Sequence, residues 1–312
     1  MTRYPYAAGL KGPAIGTGRM RLTHPLLRLF FRMNDTHARR FRPILGTSIR
    51  KILVPGFQDA EIDCFVVEGR AVAPDAPAIV YLHGGGFFGG FSKMHFQNAC
   101  FFADALHCRV FLPAYRTSYR NKFPIPVEDC YAATKWIAGH ASALGFDPTR
   151  LVVYGDSAGG CLAAATALMA RDRKEFPIAF QMLVYPVTDR LQTGRSLREY
   201  PDGTWSTEAN RQMWDLYLGG ADPGGDGYAS PLQAKTLAGL PPAYVEPAEI
   251  DCLRDEGVAY ARRLDNAGVP TILNVVKGAY HAFEQEYPAP FVVDVLNHRC
   301  DVLRERFQVK SE

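Results

Sequence analysis

The chain has no run of apolar residues long enough to cross a bilayer, and residues 1–18 lack the apolar centre of a secretion signal. Its seven cysteines form no C-x-x-C pair and no cluster with histidine at the spacing of zinc ligands. Dispersed cysteines in an odd number indicate free thiols in a reducing compartment. We therefore expect a cytoplasmic protein without stable membrane insertion and without a bound metal.

An excess of charge of one sign is also lacking, because the formal net charge is +3 and the basic residues are dispersed. This balance is too mild to indicate a nucleic-acid partner. A chain of 312 residues, 47% of them hydrophobic, can bury a full core. Since no internal repeat is visible, we expect a single domain over residues 1–312 rather than two small ones.

Strand-like apolar runs alternate with helix-forming tracts along most of the chain. The run 78–82 is continuously apolar, which is typical of a central strand covered on both faces. Alternation at this spacing predicts right-handed crossovers and an α/β fold, with a mainly parallel sheet and helices on both faces. The predicted strands that follow are 109–116, 151–154, 179–185, 243–250 and 271–276.

Two segments depart from this alternation. Residues 1–42 are rich in arginine and nearly free of acids, and an amphipathic helix is predicted to begin near Pro25. Three interpretations of that helix stay open: a lid over an active site, an ordinary packing helix, and a membrane-surface or targeting helix. Between residues 188 and 231, polar turns surround a predicted helix at 207–218, which indicates an insertion rather than a new domain.

A glycine-flanked serine follows the predicted strand 151–154. The sequence Gly155-Asp156-Ser157-Ala158-Gly159 matches the G-x-S-x-G nucleophile elbow, in which a strand turns sharply into a helix and exposes the serine hydroxyl. The helix-forming tract after it gives the context that the motif requires. The alternative is a strand-to-helix turn without chemistry.

A second glycine-rich turn follows the strand 78–82 and reads His83-Gly84-Gly85-Gly86. Its backbone can approach a ligand closely because side chains do not hide the N–H groups. In lipases and esterases an HGGG loop donates N–H groups to the oxyanion of the reaction. A plain flexible turn is the alternative.

A serine needs a base to remove its proton, and the base is usually a histidine oriented by a carboxylate. His281 directly follows a late strand, and Asp251 stands at the end of another, where functional groups of α/β sheets gather. Glu249 is the alternative acid, and His83 more plausibly braces the glycine loop. The remaining histidines are in helical or surface contexts: His24, His37, His95, His107, His140 and His298.

The motifs HGGG at 83–86, GDSAGG at 155–160, DCLRDEG at 251–257 and GAYHAF at 278–283 resemble the bacterial hormone-sensitive-lipase family of esterases. That resemblance implies an α/β-hydrolase fold, with oxyanion donors on the N–H groups of Gly85, Gly86 and Ala158. It also implies a helical cap, built here from residues of about 1–45 and about 188–228, and it suggests a homodimer. The chain departs from the family's Asp-Tyr-Arg-Leu-Ala-Pro-Glu pattern, because residues 114–120 read AYRTSYR. It also has Cys252 directly after the acid, and a thiol at this position predicts an activity that is sensitive to alkylation.

We therefore predict a serine carboxylesterase that forms an acyl-enzyme on Ser157 and needs no cofactor. Its partner is a small-molecule ester, and a crowded aromatic pocket favours short acyl groups. An amidase or arylformamidase on the same triad is an alternative, as is a non-enzymatic ligand receptor on this fold. The aromatic residues predicted to line the pocket, unless they belong to the core, are Phe87, Phe88, Tyr185, Trp205 and Trp214.

Overall fold

The computed structural model describes residues 4–12, 21–72 and 76–308. Parts of the predicted cap, residues 1–3 and 13–20, lie outside the described residues. The strands are β1 (Ser48–Pro55), β2 (Glu61–Glu68), β3 (Ala78–Leu82), β4 (Arg109–Pro113), β5 (Leu151–Asp156), β6 (Phe180–Val184), β7 (Ala243–Glu246), β8 (Ala248–Ile250), β9 (Thr271–Leu273) and β10 (Val276–Tyr280). The helices are α1 (Pro25–Ala38), α2 (Lys93–Ala105), α3 (Ile125–Gly139), α4 (Ala141–Leu144), α5 (Ala158–Arg173), α6 (Ser196–Glu199), α7 (Thr207–Leu218), α8 (Arg254–Asn266) and α9 (Pro290–Phe307).

The main sheet has eight strands in the order β1-β2-β4-β3-β5-β6-β7-β9. The pairs β1–β2 and β2–β4 are antiparallel, and the remaining neighbours are parallel. Every residue of β3, β5 and β6 is buried, as expected of strands covered on both faces. The predicted α/β fold with a mainly parallel sheet is confirmed.

Alternate residues of each strand contribute to two separate hydrophobic layers, because successive side chains point to opposite faces of a sheet. On β3, Val80 packs into the layer under α3, α5 and α8, whereas Tyr81 packs into the layer under α2 and α9. Helices therefore cover both faces. Among the described residues, no helix combines the length and apolarity needed to cross a bilayer.

A small second sheet lies at the carboxyl end of the main one. Pro247 separates β7 from β8, and β8 then pairs in parallel with β10. In that pairing Ile250 is opposite Tyr280. Asp251 and His281 are the next residues along their chains, so the short sheet brings both to the same edge.

Candidate active site

Ser157 stands alone between β5 and α5, in a conformation that is rare for a residue with a side chain. It has a φ of 55° and a ψ of −122°, and two of its backbone hydrogen bonds join it to the segment after β6 and to the end of that strand. The Ser157 N–H donates to the carbonyl of Val184 at 2.9 Å, and the N–H of Val187 donates to the Ser157 carbonyl at 3.0 Å. Such strain costs about 1–3 kcal/mol and persists where the surroundings fix it, typically at functional sites.

The two glycines of the elbow leave no room for a side chain. A Cβ on Gly155 would lie 2.0 Å from the carbonyl oxygen of Gly159, and a Cβ on Gly159 would lie 2.0 Å from that of Leu82. These contacts are shorter than any van der Waals approach. The glycines thus let β5, α5 and β3 meet closely, as the nucleophile-elbow motif requires.

The three residues predicted as a triad form one chain of hydrogen bonds. The imidazole of His281 contacts the Ser157 Oγ through Nε2 at 2.9 Å and the Asp251 Oδ2 through Nδ1 at 2.7 Å. The second carboxylate oxygen of Asp251 accepts the Leu253 N–H at 3.1 Å. All three side chains are buried. The alternative acid, Glu249, instead contacts the Nζ of Lys277.

The predicted oxyanion donors lie on either side of this chain. Gly85 and Gly86 have φ values of 112° and 60°, which favour glycine. Within the described part of the chain, no atom accepts a hydrogen bond from the N–H groups of Gly85, Gly86 or Ala158. Ala158 is the first residue of α5, where backbone N–H groups have no partner in the helix. The three groups are therefore available to an anion.

A buried polar cluster fixes the glycine loop to the elbow. Asp156 accepts the Gly84 N–H at 3.2 Å, and its Oδ2 lies 3.5 Å from the Nε2 of His95. Burial raises the pKa of the Asp156 carboxyl, but the contacts with His95, Tyr81 and His83 together outweigh burial and the net pKa is lowered. Sequence reasoning placed His95 in an ordinary helix and gave Asp156 no role. A sequence signal for His95 was its position three residues after Ser92, the spacing of a capping box at the start of α2. In the structure the His95 ring accepts the Ser92 N–H at 2.8 Å.

Three of the five predicted pocket aromatics surround the triad and the glycine loop. The rings of Tyr185 and Trp205 lie with their centroids 4.8 Å and 6.1 Å from that of His281. A Cβ on Gly86 would lie 2.7 Å from the ring of Phe88 and 2.9 Å from that of Trp205. These aromatic rings therefore border the loop that carries the predicted donors.

The other two predicted pocket aromatics lie farther inside. Phe87 is fully buried and stacks on Tyr217 with 3.8 Å between ring centroids. Trp214 packs against Phe87 at 5.8 Å. Both belong to the hydrophobic layer that also contains α5. They form the support behind the glycine loop.

A buried ionic cluster, which sequence reasoning missed, lies behind the histidine. Arg299 of α9 donates to Glu284 at 2.6 Å and to Glu246 at 2.5 Å, and all three side chains are fully buried. The Tyr185 hydroxyl donates to Glu284 at 2.8 Å, so the cluster reaches the ring beside His281. Burial raises the pKa of Glu284, although Arg299 opposes this. The sequence signal was an arginine on the apolar face of a late helix.

The comparisons with known proteins agree with this fold. A family model described as the alpha/beta hydrolase fold matches residues 79–285. The chain belongs to this family. It is 37% identical to the esterase LipI of Mycobacterium tuberculosis over 67% of this chain and 66% of that protein. It is 36% identical to an ethyl acetate hydrolase of Pseudomonas putida over 66% of this chain and 65% of that protein.

A solved structure resembles the chain over a larger share of its length. The bacterial heroin esterase has a TM-score of 0.84 and 34% identity, and the match covers 92% of each chain. The two sequence relatives are matched over just under two thirds of their own lengths. The predicted resemblance to hormone-sensitive-lipase-like esterases is confirmed. Among the described residues, no group of three or more His, Cys, Asp or Glu side chains is arranged to hold a metal ion.

Proposed function

We propose that the chain is a serine carboxylesterase in which Ser157 is the nucleophile, His281 the general base and Asp251 the residue that orients the base. Family membership and the similarity to named esterases support a carboxylic ester hydrolase. The proposal concerns its residues, its intermediate and its preferred acyl group. The observation that carries it is the chain of two hydrogen bonds from Asp251 through His281 to a strained serine.

The proposed reaction has two halves. The Ser157 Oγ attacks the ester carbonyl carbon while His281 Nε2 takes the hydroxyl proton, and the imidazolium then gives that proton to the departing alcohol as the C–O bond breaks. Water attacks the acyl-serine by the same route and releases the acid. In both halves the free N–H groups of Gly85, Gly86 and Ala158 stabilise the tetrahedral oxyanion.

We also propose that the substrate carries a short acyl group. Phe88, Tyr185 and Trp205 border the site closely, with Phe87 and Trp214 packed behind, so a long chain would have to displace buried aromatic rings. Displacing well-packed rings costs free energy that a small acyl group does not require. The similarity to a protein named for the hydrolysis of ethyl acetate supports the same preference.

The predicted cap remains a proposal, in which α1 and the segment 188–228 cover the site. Two contacts support it. The ring of Phe31 on α1 packs edge-on against Phe88, with 5.1 Å between centroids, and Trp205 comes from the insertion. The cytoplasmic location and the homodimer also stay proposals; the location is supported by seven free, buried cysteines.

The deciding experiment compares the parent with Ser157→Ala on p-nitrophenyl esters from acetate to palmitate. We expect a short-chain optimum in the parent and a loss of turnover of between about 10⁴- and 10⁶-fold in the variant. Circular dichroism and thermal unfolding check that the variant folds. A matched p-nitroanilide tests the amide alternative. Undiminished turnover in Ser157→Ala would refute the proposed nucleophile, and faster hydrolysis of palmitate than of acetate would refute the acyl preference.

A further inference from the structure

The outer face of α1 carries an exposed apolar stripe. Leu26, Leu29, Phe30 and Met33 are 69%, 52%, 61% and 63% exposed, respectively. Their spacing of three, four and seven residues places them on one side of a helix. The other large exposed hydrophobic residues of the described chain are dispersed over β1, β9 and loops. A contiguous exposed stripe of this kind marks an interaction surface.

The inner face of α1 is already occupied by the rest of the molecule. Phe31 packs on Phe88, and the Asp35 Oδ1 accepts the Phe91 N–H at 2.9 Å. The side-chain amide of Asn34 donates to the Phe91 carbonyl at 3.4 Å. The helix is therefore fixed to the loop that follows Gly86, and rotation cannot bury the stripe.

Positive charge lies along one side of the stripe. Residues 21–42 contain six arginines and a single acid, Asp35, which pairs with Arg39 at 2.9 Å. Arg28 and Arg32, one turn apart on α1, have no carboxylate within ion-pair distance among the described residues. With Arg120 they border a cavity of about 670 Å³ whose lining holds five arginines and one carboxylate.

This cavity adjoins the stripe, and its lining includes Arg28, Arg32 and Arg120, for which the described residues offer no ion-pair partner. Leu29 belongs to both, so apolar and cationic surfaces meet without a gap. The guanidinium of Arg28 lies 4.8 Å from the ring centroid of Tyr119. Burial lowers the pKa of the nearby Lys122, and Arg28 lowers it further. An anionic partner would relieve this repulsion.

We propose that α1 binds this chain to an anionic lipid surface, with the stripe at the boundary of the acyl chains and Arg28, Arg32 and Arg120 at the headgroup phosphates. Basic amphipathic helices bind such surfaces through buried apolar area together with attraction to anionic lipids. A second copy of the chain fits less well. A two-fold axis through the stripe would bring these unpaired arginines of both copies together.

Docking through the stripe would orient the proposed esterase site towards the lipid. The docking itself does not depend on esterase activity. Because α1 is joined to the Phe88–Phe91 segment, a chain docked through the stripe holds the glycine loop near the lipid surface. Apolar esters concentrate at such a surface. Docking therefore supplies substrate without altering the chemistry at Ser157.

The test measures sedimentation of the whole chain with vesicles of phosphatidylglycerol or of phosphatidylcholine. We expect binding to the anionic vesicles at about 0.1 M salt and release at about 1 M, where the screening length falls to about 3 Å. Little binding to the zwitterionic vesicles is expected. Phosphatidylcholine that binds the chain as well as phosphatidylglycerol at both salt concentrations overturns the proposal.

One serine variant and three arginine variants separate the apolar and cationic contributions. Replacing the four stripe residues by serine should lower the partition coefficient at least about tenfold. Arg28→Gln, Arg32→Gln and Arg120→Gln should each lower it about fivefold. The matched controls, Leu53→Ser with Leu191→Ser and the exposed Arg262→Gln, should bind like the parent.

Hydrolysis of dissolved p-nitrophenyl acetate by the parent needs no vesicles and measures the proposed function separately, so this test can fail without affecting the proposed function. The proposal is overturned if the parent stays in the supernatant, or if the serine variant binds as the parent does. It is also overturned if the parent self-associates in solution and the serine substitutions abolish that association. That result would assign the stripe to a second copy of the chain.

Discussion

Individual glycines of the chain differ sharply in whether they can accept a side chain. The space that a Cβ of Gly159 would need is occupied by the carbonyl oxygen of Leu82, a backbone atom that cannot rotate away. Gly139, at the end of α3, has nothing within 4 Å of the same position and an ordinary negative φ. These two glycines in helices of the same chain therefore make a matched pair.

We expect Gly159→Ala to lower the free energy of unfolding by at least about 2 kcal/mol, because β3 and α5 must separate to admit the methyl group. Gly139→Ala should instead raise it by about 0.4–1 kcal/mol through the smaller entropy of the unfolded chain. Urea denaturation measures both. Equal stabilities of the two variants would show that the close approach at Gly159 is relaxed in solution.

The buried imidazole of His83 should make the free energy of unfolding depend on pH. Burial lowers the pKa of this imidazole to about 3, and its Nδ1 lies 2.7 Å from the Gly84 carbonyl oxygen. An unfolded histidine takes up a proton near pH 6.5, whereas the folded one stays neutral down to about pH 3. The free energy of unfolding should therefore fall as pH decreases through this window, by about 1.4 kcal/mol per unit from this group.

Urea denaturation from pH 7 to about pH 4.5 measures that slope. The variant His83→Asn should be less stable at neutral pH but lose stability less steeply in acid. His140→Asn, at an exposed histidine, is the control and should keep the slope of the parent. An unchanged slope in His83→Asn would mean that His83 is not buried in its neutral form.

Among the elements, those with strong local signals were predicted well. The limits of α7 agree with the prediction because Ser206 caps its start and Gly219, with φ of 57°, ends it. β3 was predicted correctly because it is buried on both faces. The run 243–250 was predicted as one strand, but Pro247 divides it, and β8 then pairs with β10. Such pairing between distant segments leaves no periodicity in the sequence.

The helix α9 has an energetic role that depends on ionic partners outside the helix, which its local sequence does not identify. Arg299→Met would leave Glu246 and Glu284 buried without their cation, and the expected loss of unfolding free energy is about 3–5 kcal/mol. Arg306→Met, at an exposed position of the same helix, should change little. Thermal and urea unfolding measure the difference. A stable Arg299→Met variant with full turnover would contradict the role of the cluster.

At the scale of the whole molecule, the candidate site was predictable where chemistry follows a strand directly. Ser157, Asp251 and His281 each stand at a strand end, so motif and position coincide. The contacts of His95 with Asp156 and of Arg299 with Glu284 were not predictable. They join segments far apart in sequence, and only the folded packing decides which buried charges meet.

The cysteines offer a test of the whole fold. All seven are buried, and burial raises the pKa of the Cys252 thiol well above its ordinary value. Because the thiolate is the reactive form, the structure argues against the predicted sensitivity of Cys252 to alkylation. We expect negligible reaction of the native protein with a thiol reagent and seven reactive thiols in denaturant. Rapid modification of one native thiol, lost in Cys252→Ser, would contradict this.

The cluster at Arg299 also sets an order of events during synthesis. A ribosome makes the glycine loop, then the elbow and then the histidine segment before it reaches α9. Until Arg299 arrives, Glu246 and Glu284 have no cation, and Tyr185 and the loop that carries His281 have no fixed support. The hydrogen bonds that join Arg299, Glu284 and Tyr185 behind His281 can therefore form only after α9 has been made.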